Sequence, residues 1–251
     1  MDHSFRLIVF DPPYGVTKNQ WDIPFDTKLM FQYCFRLLQP FGTICIFAQQ
    51  PYASQLITQE PDRFRYELIW FKEKGTQFHE SERRPLPAHE SILVFSNEYP
   101  NQYYPQKTQG IPYSKTFHAD TSNTNYGKMK NYETVNTGDR YPLSYLYYPR
   151  DNGNCGIHAT QKPLNLIKNL IKTYSKPNEM VLDFCMGSGT SVVAALLEQR
   201  VGVGYEIDPL MFQKAKQRIE HAQRYREDNI EKIREKYQPP LQKGNLTKFL
   251  K

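Results

Sequence analysis

Short apolar runs alternate with amphipathic stretches at the start of this 251-residue chain. Each run is bounded by turn residues and is too short for a helix, which is typical of a buried strand. Strands are therefore predicted over 6–10, 43–47, 66–71 and 92–95. Apolar residues at helical spacing run from Leu29 to Leu38, and we expect Pro40 and Gly42 to end that helix.

The same alternation returns in the last third of the chain. Strands are predicted over 180–184 and 201–207, and helices from Pro163, over 192–197 and from Phe212 onward. The first of these helices starts at a proline, whose fixed φ suits a first helical turn. Strands that alternate with helices favour an α/β fold, here a Rossmann-like, doubly wound and mostly parallel sheet.

The segment between these two blocks, residues 97–157, has a different character. It holds ten of the 18 tyrosines, is rich in Asn, Thr, Gly and Pro, and shows no helical periodicity. A connection of this length inside a compact domain is usually functional or disordered. We interpret it as a loop-rich insertion that is too aromatic to be a linker.

Composition narrows the class of protein. Aromatic residues make up 14% of the chain, enough to build a core, although the mean hydropathy is −0.69. No apolar run reaches the roughly 18 residues of a membrane span, and residues 1–4 lack the pattern of a signal peptide. The four cysteines are scattered, so we expect free thiols, a cytoplasmic protein and no metal site.

The net charge of +6 is concentrated at one end. From Gln213 to the C-terminus there are eleven Lys and Arg against five Asp and Glu, which accounts for the whole excess. Such uneven basic charge favours a polyanionic partner such as nucleic acid. A solvated surface helix explains the same charge equally well.

A glycine turn, Gly187-Ser188-Gly189-Thr190, follows one of the predicted strands. It can bring backbone N–H groups close to a ligand at a helix N-terminus. Glu206, 19 residues after Gly187, is placed to accept hydrogen bonds from both hydroxyls of a ribose. Val192 stands where a dinucleotide-binding turn needs its third glycine, so a nucleoside without a diphosphate is favoured. A purely structural turn is the alternative.

The motif Asp11-Pro12-Pro13-Tyr14 follows the first predicted strand directly. Two prolines fix the backbone and remove competing N–H donors. The Asp11 carboxylate and the Pro12 carbonyl are thus placed to accept two hydrogens of one amino group, while Tyr14 offers a ring for stacking. A rigid strand-end turn with a capping aspartate is the structural alternative.

Together these motifs resemble the amino-directed DNA methyltransferases that use S-adenosylmethionine. The family signatures are D/S-P-P-Y, similar to 11–14, and D-P-F-x-G-S-G-T, similar to 183–190. The segment 158–164, His-Ala-Thr-Gln-Lys-Pro-Leu, resembles the lead-in to the cofactor-binding half, and the motif order is that of the permuted β group. Phe184-Cys185 departs from the usual Pro-Phe, so the aromatic beside the methionine is expected to be shifted or lost.

The resemblance implies methyl transfer to an exocyclic amino group of a base flipped out of double-stranded DNA. Asp rather than Ser at the start of the first motif favours adenine N6, with cytosine N4 as the alternative. The resemblance assigns catalysis to Asp11, Pro12, Pro13 and Tyr14. It assigns S-adenosylmethionine binding to Lys162, Pro163, Asp183, Phe184, Gly187, Ser188, Gly189, Thr190 and Glu206.

The same resemblance implies four regions and a set of partners. The regions are a catalytic half (1–96), a target-recognition insertion (97–157), a cofactor-binding half (158–225), and a basic C-terminal helix and tail (226–251). Arg83 and Arg84 form a compact basic loop that we expect to contact DNA, with a solvated surface loop as the alternative. A homodimer and a cognate restriction endonuclease are left open.

Two other classes of protein share some of these features. A nicotinamide-dependent oxidoreductase shares the glycine turn and Glu206 but gives no account of the motif at 11–14. A non-catalytic nucleic-acid-binding module explains the basic charge but not the two motifs together.

Overall fold

The computed structural model of the chain describes residues 2–15, 23, 25–117, 131–150 and 161–237, with only the backbone for 230–237. The helices are α1 (Thr27–Leu37), α2 (Tyr52–Gln59), α3 (Leu164–Tyr174), α4 (Thr190–Leu197) and α5 (Pro209–Tyr237). The strands are β1 (Phe5–Phe10), β2 (Leu38–Ala48), β3 (Phe64–Phe71), β4 (His89–Phe95), β5 (Thr108–Gln109), β6 (Tyr113–Phe117), β7 (Tyr132–Asn136), β8 (Asp139–Arg140), β9 (Tyr145–Tyr147), β10 (Met180–Asp183) and β11 (Val201–Gly204).

Seven of these strands form one sheet in the order β11-β10-β1-β2-β4-β3-β9. Strand β4 runs antiparallel to both of its neighbours, and the other neighbouring pairs are parallel. The chain leaves β1 toward β2 and leaves β10 toward β11, which lie on opposite sides. The point between β1 and β10 is therefore a topological switch point, where a ligand crevice opens at the carboxyl ends of the strands. The predicted doubly wound, mostly parallel sheet is confirmed.

Helices cover both faces of this sheet. On one face Ile8 of β1 belongs to a buried cluster with Phe31 of α1 and Leu56 of α2. On the other face Leu7 belongs to a cluster with Leu170 of α3 and further residues of α4. Because both faces are buried, the inner strands are apolar runs without polar alternation.

The first helix was expected to end at Pro40 and Gly42, but in the structure it ends three residues before Pro40. Helix α1 ends at Leu37, and β2 begins at Leu38 and includes both Pro40 and Gly42. The pairing of β1 with β2 shifts register between Phe5 and Leu7, so 39–42 bulge out of the ladder, where a proline removes no ladder hydrogen bond. Helix α2 was missed because eight residues give too short a pattern to recognise.

The described part of the insertion contains strands and no helix. Strand β6 pairs with β7 and β5 pairs with β8, whereas β9 extends the main sheet parallel to β3. The indole of Trp70 also donates a hydrogen bond to the carbonyl of Tyr148 at 2.8 Å. The end of the insertion is thus fixed to the sheet.

The charged helix predicted from Phe212 is the single helix α5, which begins at Pro209 and continues across residue 225. Among the residues placed by the structure, no helix combines the length and apolar character needed to cross a bilayer.

Candidate active site

The motif at 11–14 and the glycine turn meet at the switch point of the sheet. Asp11 follows β1 and Asp183 ends β10, and these strands are parallel neighbours, with Ile8 opposite Leu182. Burial raises the pKa of Asp183 to about 7, and the nearby charge of Asp11 adds to that rise. The two carboxyl groups therefore lie within electrostatic reach of each other.

Both carboxylate oxygens of Asp11 accept hydrogen bonds from side chains of the chain itself. The Tyr14 hydroxyl donates to Oδ1 at 2.6 Å, and the Lys162 ammonium donates to Oδ2 at 2.5 Å. Burial, followed by the charges of Asp11 and Glu90, raises the pKa of Tyr14 well above its usual range, so its hydroxyl keeps its proton. The Tyr14 ring lies 5.4 Å from that of Tyr52.

Asp11 belongs to a charge cluster of four residues, which are Asp11, Lys162, Glu90 and Lys72. Lys162 Nζ lies 3.2 Å from Glu90 Oε2, and Lys72 Nζ lies 2.5 Å from Glu90 Oε1. Burial raises the pKa of Glu90, but the two lysines outweigh it and the net shift is downward. Burial lowers the pKa of Lys162, but its two carboxylates outweigh that effect and the net shift is upward. Lys72 and Glu90 are buried, Asp11 and Lys162 are partly buried, and the charges of the four residues alternate.

The resemblance assigned Lys162 to the cofactor, but the ion pairs that the structure gives it are to Asp11 and Glu90. Pro163, assigned with it, is buried and is the N-cap residue of α3. Residues 158–160 of the same motif lie outside the described ranges. Lys72 and Glu90 were missed because they come together only through the pairing of β3 with β4, which places Trp70 opposite Glu90.

The glycine turn exposes its backbone at one position. Gly187 has φ +49° and Gly189 has φ +75°, in the left-handed region that favours glycine. A Cβ on Gly187 would meet no atom within 4 Å, whereas one on Gly189 would lie 3.3 Å from Ala215 of α5. Gly187 therefore leaves open space beside its Cα, which fits a ligand that approaches the backbone closely.

The hydroxyls of this turn face α5. Ser188 and Thr190 are buried, and Arg218 donates to the Ser188 carbonyl at 3.1 Å and to the Thr190 hydroxyl at 2.8 Å. Both residues were assigned to the cofactor, but their side-chain contacts in the structure stabilise the turn. Arg218 was missed because the sequence shows it only as one of many cations on a charged helix.

Two carboxylates organise the same turn. Asp183 accepts from the Ser191 hydroxyl at 2.5 Å and from the Cys185 N–H at 2.9 Å. Glu206 accepts from the Gly187 N–H at 2.9 Å through Oε2 and from the Asp208 N–H at 2.9 Å through Oε1. The Glu206 carboxylate thus borders the open space at Gly187, and each oxygen keeps a lone pair for a ligand hydroxyl.

Phe184 supplies an aromatic wall at the crevice. Its ring lies 4.2 Å from that of Phe10 at the end of β1 and 6.0 Å from that of Phe25. The ring at position 184, displaced by one residue from the family pattern, therefore lies between the two strands that form the site.

A cleft of about 680 Å³ opens on the outer side of Tyr14. Arg84 lies on its wall with His79, whereas Arg83 is exposed and lies 3.6 Å from the Glu80 carboxylate. The cleft is also lined by Gln49, Gln50, Pro51, Tyr52, Gln55, Gln77, Glu80 and Pro87. The structure therefore brings the basic loop to the motif at 11–14, with Arg84 as its inner member.

Three known proteins are similar to this chain in sequence or in fold. Type II methyltransferase M.HpaI of Haemophilus parainfluenzae is 29% identical over 232 residues, covering 87% of this chain and 69% of that protein. The solved M1.HpyAVI–SAM complex has a TM-score of 0.57 and 22% identity, covering 86% of this chain and 89% of its own. PvuII DNA methyltransferase, described as cytosine-N4-specific, has a TM-score of 0.60 and 14% identity. The match covers 86% of this chain and 79% of that protein's chain.

The match to a family model spans nearly the whole described fold. Residues 5–217 match the model described as DNA methylase, from the start of β1 into α5. Both motifs of the switch point lie inside this range. The chain therefore belongs to the N6_N4_Mtase family of DNA methylases.

Proposed function

We propose that this DNA methylase methylates adenine N6 in a short sequence of double-stranded DNA. Its methyl donor is S-adenosylmethionine. The observation that carries the proposal is that Asp11 follows β1, whose parallel neighbour β10 leads into the open glycine turn. Asp rather than Ser at this position supports adenine over cytosine.

Asp11 and the Pro12 carbonyl hold the target amino group in this proposal. Accepting both amino hydrogens directs the nitrogen lone pair and stabilises the positive charge that develops on nitrogen. S-adenosylmethionine supplies a methyl group on a sulfonium, which is already a good leaving group. Positioning of this kind contributes roughly 7–11 kcal/mol to lowering a barrier, so no covalent nucleophile is needed.

The open space at Gly187 fits S-adenosylmethionine. The Gly187 backbone would adjoin the methionine end, Glu206 would accept hydrogen bonds from the ribose, and Phe184 would close the crevice. Ser188, Thr190 and Asp183 would hold the turn in shape for the cofactor, and their contacts with Arg218, Ser191 and Cys185 support this role. Pro163 and Lys162 shape the site from the start of α3.

The cleft beside Tyr14 is the proposed entry for the flipped base. Stacking on an aromatic ring returns about 1–3 kcal/mol of the few kcal/mol that extrusion from the duplex costs. Arg84 on the cleft wall and the exposed Arg83 would contact the DNA backbone, and the insertion would read the target. A homodimer and a cognate restriction endonuclease stay predictions from the sequence.

Sequencing DNA from cells that express the chain, with a method that detects modified bases, tests the proposal. We expect N6-methyladenine at one short sequence, and none with Asp11→Ala, which should still bind S-adenosylmethionine in calorimetry. If N4-methylcytosine is found instead, the target base is cytosine and not adenine. Unchanged methylation by Asp11→Ala would refute the catalytic role of that carboxylate.

A further inference from the structure

The two carboxylate oxygens of Glu90 have unequal surroundings. Oε1 accepts hydrogen bonds from Lys72 Nζ at 2.5 Å and from Gln49 Nε2 at 3.2 Å. Oε2 is buried and makes no regular hydrogen bond to any residue that the structure describes, although Lys162 Nζ is only 3.2 Å away. A buried carboxylate oxygen without a hydrogen bond is costly and calls for an explanation.

The surroundings of Asp11 explain why Glu90 Oε2 is left without a hydrogen bond. Its Oδ1 is bonded to Tyr14 and its Oδ2 to Lys162, so an amino group that enters the cleft meets a carboxylate already bonded on both oxygens. Lys162 Nζ lies between Asp11 Oδ2 and Glu90 Oε2, and a small movement toward Glu90 would release one Asp11 oxygen. The rings of Phe47 and Trp70, 4.9 and 5.9 Å from Nζ, stabilise a cation there.

We infer that Glu90 is a positioning residue, which receives the Lys162 ammonium when the target amino group binds Asp11. The inference rests on the proposed catalytic role of Asp11. In this exchange one hydrogen bond of Lys162 passes from Asp11 Oδ2 to Glu90 Oε2, and the number of buried charges does not change. Lys72 keeps Glu90 ionised and in place by its bond to Oε1.

A test by mutation has to preserve the charge balance of the cluster. Glu90→Gln alone leaves two lysines with one carboxylate, and a buried charge without its partner is strongly destabilising. The double variant Glu90→Gln with Lys72→Met removes one charge of each sign and keeps similar volumes. A matched control is Glu179→Gln, which breaks the Arg6–Glu179 ion pair of 3.0 Å near the other end of β1.

The experiment measures kcat, the Kd of S-adenosylmethionine and the melting temperature, with DNA that carries the mapped target site. We expect the double variant to keep its melting temperature within a few degrees and its Kd within about twofold. Its kcat should fall about 100-fold, because Lys162 then stays on Asp11 and the amino group is misplaced. Glu179→Gln should keep the wild-type kcat.

Repeating the double substitution in a Lys162→Met chain distinguishes movement of the Lys162 ammonium from a general loss of structure. In a Lys162→Met chain no ammonium is left to move, so adding the double substitution should change kcat by less than about threefold. A folded double variant with wild-type kcat would overturn the inference, as would a parallel loss of cofactor binding. A wild-type chain that methylates no base would refute the proposed function itself, and the inference with it.

Discussion

At the scale of the residue, Gly187 and Gly189 share a backbone geometry but not a role. Both have positive φ, yet the space beside Gly187 is open and the space beside Gly189 is filled by Ala215 and Ile219 of α5. The sequence predicts the turn from its glycines. It does not show what lies where a side chain would stand at each glycine, because that depends on how α5 packs against the turn. The difference supports the proposed approach of a ligand at Gly187, whereas Gly189 packs against α5.

Gly187→Ala is therefore expected to weaken S-adenosylmethionine binding at least tenfold, because its Cβ occupies the open space. Gly189→Ala serves as the matched control. Both changes place alanine in the left-handed region, at a cost of about 1–2 kcal/mol each. Calorimetry and urea unfolding separate the two effects, and equal affinities in the two variants would contradict the assignment.

Asp183 makes the stability of the fold depend on pH. Burial raises its pKa to about 7, well above that of an exposed carboxyl in the unfolded chain. Between about pH 4 and 7 the folded protein therefore keeps a proton that the unfolded chain has lost. This contribution to stability is complete at low pH, is lost as the pH rises toward 7, and stays constant above it.

Asp183→Asn removes this titration. We expect the stability of the variant, relative to wild type, to improve steadily from pH 4 to pH 7 and then to level off. Urea unfolding across that range measures the trend, and Asp62→Asn, at an exposed carboxyl, is the control. A stability difference that does not change with pH would contradict the raised pKa.

At the scale of the element, α5 is more than a solvated charged helix. Ala215 packs with Met186 and Val192, and Arg218 reaches the hydroxyls of the glycine turn. The sequence predicts the helix and its charge, but it does not show which cation faces inward, because that depends on how α5 lies against α4. The helix thus helps to shape the glycine turn of the proposed cofactor site.

Arg218→Met should loosen the turn. Hydrogen bonds of this kind contribute about 1 kcal/mol each, so we expect a loss of about 1–3 kcal/mol in unfolding free energy and several-fold weaker cofactor binding. Arg224→Met, on an exposed part of the same helix, should change neither quantity. An unaltered turn in the Arg218 variant, judged by cofactor affinity, would rule out this role.

At the scale of the whole molecule, the alternation of strands and helices predicts the sheet and the position of both motifs. It does not predict that β4 runs antiparallel, because a short apolar run carries no direction. Nor does it predict the charge cluster, because Lys72 and Glu90 stand 18 residues apart without a local pattern. Strand direction and contacts between side chains on neighbouring strands can be read only from the three-dimensional structure.

The basic C-terminus offers a test of DNA binding. Deleting residues 238–251 removes Lys243, Lys248 and Lys251 and no acidic residue. If these lysines neutralise phosphates, the slope of log K against log salt should become shallower by up to about 3. Affinity measured between low and moderate salt gives the slope, and changing the three lysines to glutamine is the matched control. An identical slope would exclude the tail from phosphate contact.

The adjacency of β1 and β10 has a consequence for biosynthesis. The strand that carries Asp11 leaves the ribosome early, but its neighbour and the loop beyond it come from the last third of the chain. If the proposed site is correct, the nascent chain cannot form it until Glu206 has been translated. Fragments that end before β10 would therefore lack the strand and the glycine turn of the proposed cofactor site.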